Sequence, residues 1–190
     1  MTAVPQAAAP AARADASVLG PLGLADGTFV EVRTIDASDV CRLRRLFDRL
    51  SPTSVYFRFF APIRRPRAGV LEHLAAVDHE RREALVALAD DEIVAVARYE
   101  AGTDGDEAEL AVTVEDAWQG RGLGKLLSRR LARLARQRGF TAFTAAVLGE
   151  NRAALALMHS IAPDVDVRFR SGQYDVYVPL RGTAARSRVR

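Results

Sequence analysis

Cysteine, lysine and tryptophan each occur once in 190 residues, and histidine three times. The single cysteine, Cys41, excludes an internal disulfide. In the helical context Val40-Cys41-Arg42-Leu43 it reads as a small core or boundary residue rather than a nucleophile. No apolar run is long enough to span a bilayer, and the N-terminus lacks a charged start followed by an unbroken apolar stretch. Neither a membrane span nor a secretory signal is expected, and a cytoplasmic location follows. Lysine appears only at Lys125, so arginine supplies the other 26 positive charges. The net charge of +3 is carried by a tail: residues 181–190 hold Arg181, Arg186, Arg188 and Arg190 and no acid. Taking four charges from +3 leaves the remainder at −1. Nucleic-acid binding is therefore not expected of the domain.

With 49% hydrophobic residues the chain can bury one substantial core. Residues 1–25, rich in Ala and Pro, read as a flexible leader, residues 26–180 as one domain, and 181–190 as a basic flexible tail. Order is expected from about Gly27. Thr28 to Arg33 alternates like a half-buried strand, and Asp36 or Ser38 caps a helix carrying Val40, Leu43, Leu46, Phe47 and Leu50 on one stripe. An aromatic helix follows Ser51-Pro52-Thr53-Ser54, then a short helix around Val70-Leu71-Leu74. Three strand-like runs form a meander: 82–88, 93–99 and 109–114. In the third, Leu110, Val112 and Val114 share one face, and Glu109, Ala111 and Thr113 the other.

Gln119-Gly120-Arg121-Gly122-Leu123-Gly124 then opens an amphipathic helix whose leucines, from Leu123 to Leu134, point inward while five arginines between 129 and 138 point outward. Gly139 ends it. A buried strand over 140–147, a helix over 151–161 and strands near 165–170 and 173–179 complete a mixed α/β order. Glycines at alternate positions before a helix let backbone N–H groups converge on an anion at the helix's positive end. The loop lacks the Lys-Ser ending of a P-loop, and no dinucleotide fingerprint follows an early strand.

The stretch from Val112 to Gly124, with Gln119, Gly122 and Gly124 in a Q-x-x-G-x-G pattern, resembles the signature of the GNAT acetyltransferase superfamily. Asn151, Ala154 and Leu157 match a second family element, N-x-x-A-x-x-L. The runs Leu50–Phe60 and Ala108–Val112 look like the catalytic domain of bacterial protein-lysine acetyltransferases. The resemblance implies a mixed, mostly antiparallel sheet with helices on both faces and a splayed central strand pair. It implies acetyl-CoA as co-substrate and no metal. Gln119, Gly120, Arg121, Gly122, Leu123, Gly124 and Lys125 would hold the pyrophosphate, mainly through backbone N–H groups. The backbone of Val112, Thr113 and Val114 would pair with pantetheine like an added strand, and Asn151 would touch the pantetheine arm or the following strand. The side chains of Arg121 and Lys125 either reach phosphates or stay solvated, and Trp118 packs under the loop.

Acetyl transfer needs an amine that has lost its proton, and a lysine amine with a reference pKa near 10.4 is almost wholly protonated at neutral pH. Glu109 matches the family's glutamate ten residues before Gln119 and is the expected general base; its alternative reading is a surface glutamate. Where many members carry a tyrosine acid this chain has Met158, so no general acid carries over; Tyr56 and Tyr99 read as aromatic core. Asp78 and His79 are either an acceptor-entrance pair or a solvated loop pair. The acceptor groove is expected between Ser51–Phe60 and the final hairpin, with a protein lysine as acceptor. A small amine, or acyl-CoA binding without catalysis, are the alternatives. Monomer and homodimer both remain open.

Overall fold

These periodicities become eight strands, five α-helices and two short 3-10 turns among the residues that the computed structural model describes, 18–102 and 105–180. One sheet contains β1 (Val18–Gly23), β2 (Phe29–Thr34), β3 (Arg82–Ala89), β4 (Glu92–Ala101), β5 (Glu107–Val114), β6 (Ala142–Leu148), β7 (Asp166–Arg170) and β8 (Gln173–Pro179). Its order is β1-β2-β3-β4-β5-β6-β8-β7, and every neighbouring pair is antiparallel except β5 with β6.

Helices cover both faces. On one side α1 (Val40–Arg49), α2 (Pro52–Phe59) and α3 (Ala68–Ala75) bury Leu43, Leu46, Phe47, Val55 and Leu71 against Ala84, Val86 and Val96. On the other, α4 (Leu123–Gln137) and α5 (Arg152–Ile161) set Leu123, Leu127, Leu131 and Met158 against Leu85, Ala97, Leu110 and Phe143. Because β3 and β4 lie under helices on both sides, their middles are buried residue after residue rather than alternately.

Four expectations change. Residues 18–25 are not leader: Val18–Gly23 forms an edge strand on β2, with a bulge between Val18 and Gly20. Backbone pairing needs neither charge nor aromatics, Leu24 is buried in the core, and Pro21 is tolerated at a sheet edge. Residues 1–17 and the expected tail at 181–190 lie outside the described residues. Cys41 falls off the α1 stripe and is exposed. Arg138, although exposed, does not stay free in solvent; its guanidinium reaches back to Glu83, 2.7 Å away, and to the Tyr99 hydroxyl at 2.8 Å. Finally, the strand expected from Phe140 starts at Ala142, because Phe140 Nα returns to the Ala135 carbonyl to close the α4 end.

The two buried carboxylates are each paired across the fold. Asp39, fully buried, takes a two-pronged bond from Arg33 at 2.7 Å on each oxygen. Burial alone raises the Asp39 pKa, yet the Arg33 fork and the Asp36 N–H outweigh it and hold the carboxyl below its ordinary value. Glu83, also fully buried, is met by Arg138, by His79 Nδ1 at 3.0 Å and by the Ala84 N–H.

Candidate functional site

The site begins where the sheet forks. β5 pairs with β6 over only three residues, Glu107, Ala108 and Glu109 opposite Ala142, Phe143 and Thr144. Beyond that, β5 stays paired to β4 as far as Val114 while β6 follows β8, so the β6-facing edge of residues 110–114 has no strand beside it. A gap bounded by free backbone groups accepts an extended ligand as an added strand. Val112 and Val114 turn their side chains into the α4 side of the core, and Thr113 is buried on the opposite face. The three expected residues are therefore available through backbone alone.

The glycine loop closes the open end of the fork. Gly120 and Gly122 have φ of 75° and 82°, the left-handed region where a side chain is strained. Gly122 is the N-cap of α4 and offers no side-chain cap, and no backbone N–H from Gly120 to Lys125 donates to another described residue. These donors gather at the positive end of a 15-residue helix. Gly124 brings the helix close: a Cβ there would lie 3.5 Å from Val114 Cγ2 and 3.7 Å from Leu157. Leu123 is buried, so only its N–H faces the loop's concavity, whereas Lys125 is exposed.

Other predicted loop residues have structural partners. Gln119 Nε2 donates to the Val114 carbonyl at 3.0 Å and to Ser54 Oγ at 3.3 Å, tying the loop to the end of β5 and to α2. Arg121 stacks on Trp118, its Cζ 4.9 Å from the ring centre, and pairs with Asp26 at 3.2 Å. Trp118 packs against the core, as expected. Asn151 caps α5, its Oδ1 accepting from Ala154 N at 3.0 Å, so that oxygen is committed to the helix rather than to a neighbouring strand. Asp116 joins the loop entrance to the start of α2 by accepting from Ser51 N, Ser51 Oγ and Ser54 Oγ at 2.9, 2.6 and 2.8 Å.

Glu109 occupies the crotch of the fork. It is the last β5 residue paired to β6, its side chain is exposed, and it stands opposite Glu100 on β4 and Thr144 on β6. Thr144 in turn stands opposite Tyr177 on β8, so one row crosses four strands on the face that α1–α3 cover only in part. Sequence reasoning missed Thr144 and Tyr177 because their nearness to Glu109 comes from a parallel pairing 35 residues away in the chain. It also missed Arg58 and Arg98, which line a small cavity with Ala111 and Thr113 on that same face. An arginine set inside the aromatic run Tyr56-Phe57-Arg58-Phe59-Phe60 was the available signal.

Asp78 and His79 do not join the site. Asp78 accepts from the Glu80 and Arg82 N–H groups in a turn, and His79 bonds Glu83 on the α4 side of the sheet. Tyr99 donates to the Glu80 carbonyl at 2.9 Å and is buried; burial raises its pKa. Met158 is buried in the core on the α4–α5 side. Among the described residues no group of three or more His, Cys, Asp or Glu is arranged to hold a metal, and no helix is long and apolar enough to cross a membrane.

The acetyltransferase (GNAT) family matches residues 44–161, the span that contains the fork, the glycine loop and Glu109. The chain belongs to the GNAT acetyltransferase family. A curated acetyltransferase of Pseudomonas aeruginosa is 36% identical over 134 residues, covering 68% of this chain and 72% of its own. Acetyltransferase Pat of Mycolicibacterium smegmatis is 32% identical over 141 residues, which cover 73% of this chain but only 42% of that protein. Among solved structures, the GNAT domain of PAT from S. lividans superposes with a TM-score of 0.79 at 31% identity, covering 84% of this chain and 96% of that one. The mixed, mostly antiparallel sheet with a splayed central pair is the GNAT fold, as the motifs imply.

Proposed function

We propose that this chain is an acetyl-CoA-dependent N-acetyltransferase acting on a primary amine, with a protein lysine side chain as the favoured acceptor, in the cytoplasm. One observation carries the reading: Glu109, an exposed carboxylate, stands where the fork opens, so a thioester lying in the gap and an amine arriving from the α1–α3 face meet beside it. Lysine is favoured by the likeness of Leu50–Phe60 and Ala108–Val112 to protein-lysine acetyltransferases and by the match to the PAT domain.

In this reading the pyrophosphate sits on the N–H groups of Arg121 to Lys125, and pantetheine lies along Val112 to Val114. Glu109 takes a proton from the acceptor ammonium directly or through one water. The freed nitrogen attacks the thioester carbonyl carbon, and an N–H of Ala111 or Val112 stabilises the oxyanion. Collapse breaks the C–S bond, and the nitrogen releases its second proton to solvent to give the neutral amide. Coenzyme A leaves as a thiolate, with a reference pKa near 8.5, and takes its proton from solvent; Met158 has none to give.

Free thiol released from acetyl-CoA, measured with lysine peptides and with small amines, tests the proposal. Peptide-dependent release supports it. Release with small amines alone moves the acceptor to that class, and binding of acetyl-CoA without any release reduces the chain to a binding module.

A further inference from the structure

Two arginines on the acceptor face lack the close carboxylate contact that several other arginines of the fold make. Arg33, Arg42, Arg49 and Arg138 each close on a carboxylate at 2.6–2.9 Å. Arg58, in the last turn of α2, pairs with no carboxylate and donates no hydrogen bond among the described residues; its Cζ lies 5.0 Å from the centre of the Phe59 ring. Arg98 beside it is 5% exposed, and its Nη1 donates to the Leu74 carbonyl at 3.1 Å. Its Nη2 is buried without a hydrogen-bond acceptor, the nearest carboxylate being Glu100 at 3.6 Å. Both side chains line the cavity bounded by Ala111 and Thr113, two and four residues along β5 from Glu109.

Burial, with the like charge of Arg58 second, pushes the Arg98 guanidinium down to about 10. Burial also lowers Arg58, against the pull of Glu109 and Glu100. Buried cations without full pairing are costly, and an anion at the rim relieves that cost. Glu109 and Glu100 stand in register on the same face, so the site presents carboxylates for an ammonium next to guanidinium for an acid.

We infer that Arg58, supported by Arg98 beneath it, binds a carboxylate carried by the acceptor close to its amine. The inference rests on the acetyltransferase reading and adds the acceptor's second charge. The same chemistry comes from a lysine beside an Asp or Glu in a protein, or from a free amino-acid-type amine.

Two matched series separate these sources: lysine peptides with Glu or Gln next to the lysine, and 5-aminopentanoate against pentylamine. The ratio of kcat/KM values within a pair cancels general damage to the enzyme. A carboxylate preference of roughly tenfold is expected in at least one series. Arg58→Gln brings that ratio close to one, and Arg58→Lys restores part of it. Preference in the peptide series alone assigns a protein acceptor; preference in the amine series alone assigns a small one. A wild-type ratio at or below one in both series, with thiol still released, overturns this inference alone, as does a ratio that Arg58→Gln leaves unchanged. If no acceptor releases thiol although acetyl-CoA raises the Tm, the acetyltransferase reading fails and this inference with it.

Discussion

Around the fork, the two faces of the sheet are built from different materials. On the α4–α5 side, Leu110, Val112, Leu123, Leu127 and Met158 put no ionised side chain beside the fork, and the polar groups there are those of the backbone. On the α1–α3 side, Arg58, Arg98, Glu100 and Glu109 bring side-chain charge to the rim. A cofactor of fixed shape is suited to amides and glycines, because these hold their positions whatever the pH. An acceptor that must change protonation needs titratable neighbours. Under the proposed function the division would give affinity for acetyl-CoA to one face and chemistry to the other, and substitutions can test whether it holds.

The largest effect is expected at Glu109. Glu109→Gln should lower kcat roughly 10²–10⁴-fold, the range of a lost general base, while the Kd for acetyl-CoA measured by calorimetry stays put. Equal damage to both would erase the division. Removing Arg138 tests the far end of the α4 side: Arg138→Ala leaves Glu83 buried beside His79 and its own backbone contact, and should cost about 2–3 kcal/mol. At about 2–4 °C per kcal/mol for a domain of this size, that is a fall of roughly 5–10 °C in Tm by calorimetry, with kcat little changed.

Gly122→Ala puts a side chain into a left-handed N-cap at a cost of about 1–2 kcal/mol, and the acetyl-CoA Kd should rise about tenfold without a matching loss in kcat. Asn151→Ala removes the α5 cap and should cost about 1 kcal/mol in urea unfolding. A rise in the acetyl-CoA KM beyond that loss would show contact with the pantetheine arm as well. The smallest effect concerns the link between the faces. Burial raises the Asp116 pKa, but bonds from Ser51 and Ser54 prevail and lower it below 3.8. Its stabilising contribution is therefore complete above that unfolded value and lost as pH falls through the depressed folded one. The Tm gap between wild type and Asp116→Asn should narrow only below about pH 4. A gap that persists unchanged at lower pH would remove the charge from the account.

The parts legible beforehand are those with local causes. The α1 stripe, the β5 alternation and the glycine spacing each obey a period or a backbone rule that a few neighbouring residues fix. What escaped depends on partners far along the chain. Glu83 and Arg138 are 55 residues apart, and neither carries a mark of burial until the other is in place. Gln119 reads as a cofactor-loop residue and Asp116 drew no reading, yet both bond Ser54 across more than 60 residues. β1 escaped because a strand containing Gly20, Pro21 and Gly23 has no propensity of its own and is held by β2 and by Leu24. The positions of Glu109 and the loop glycines beside the fork follow from motif spacing, whereas Arg58, with no carboxylate, and Arg98, with a buried Nη2 lacking an acceptor, emerge only from the packed fold.

The three-residue seam between β5 and β6 bears on stability as well as chemistry. Five strands lie to one side and three to the other, so the ladder that makes a sheet a single cooperative sheet is thinnest at the crotch of the fork. An extended guest bonded along 112–114 lengthens that ladder, making occupancy and structural continuity the same variable. Melting temperature should then climb with the logarithm of acetyl-CoA concentration well above Kd, and a shortened donor lacking the pantetheine amides should leave the seam open.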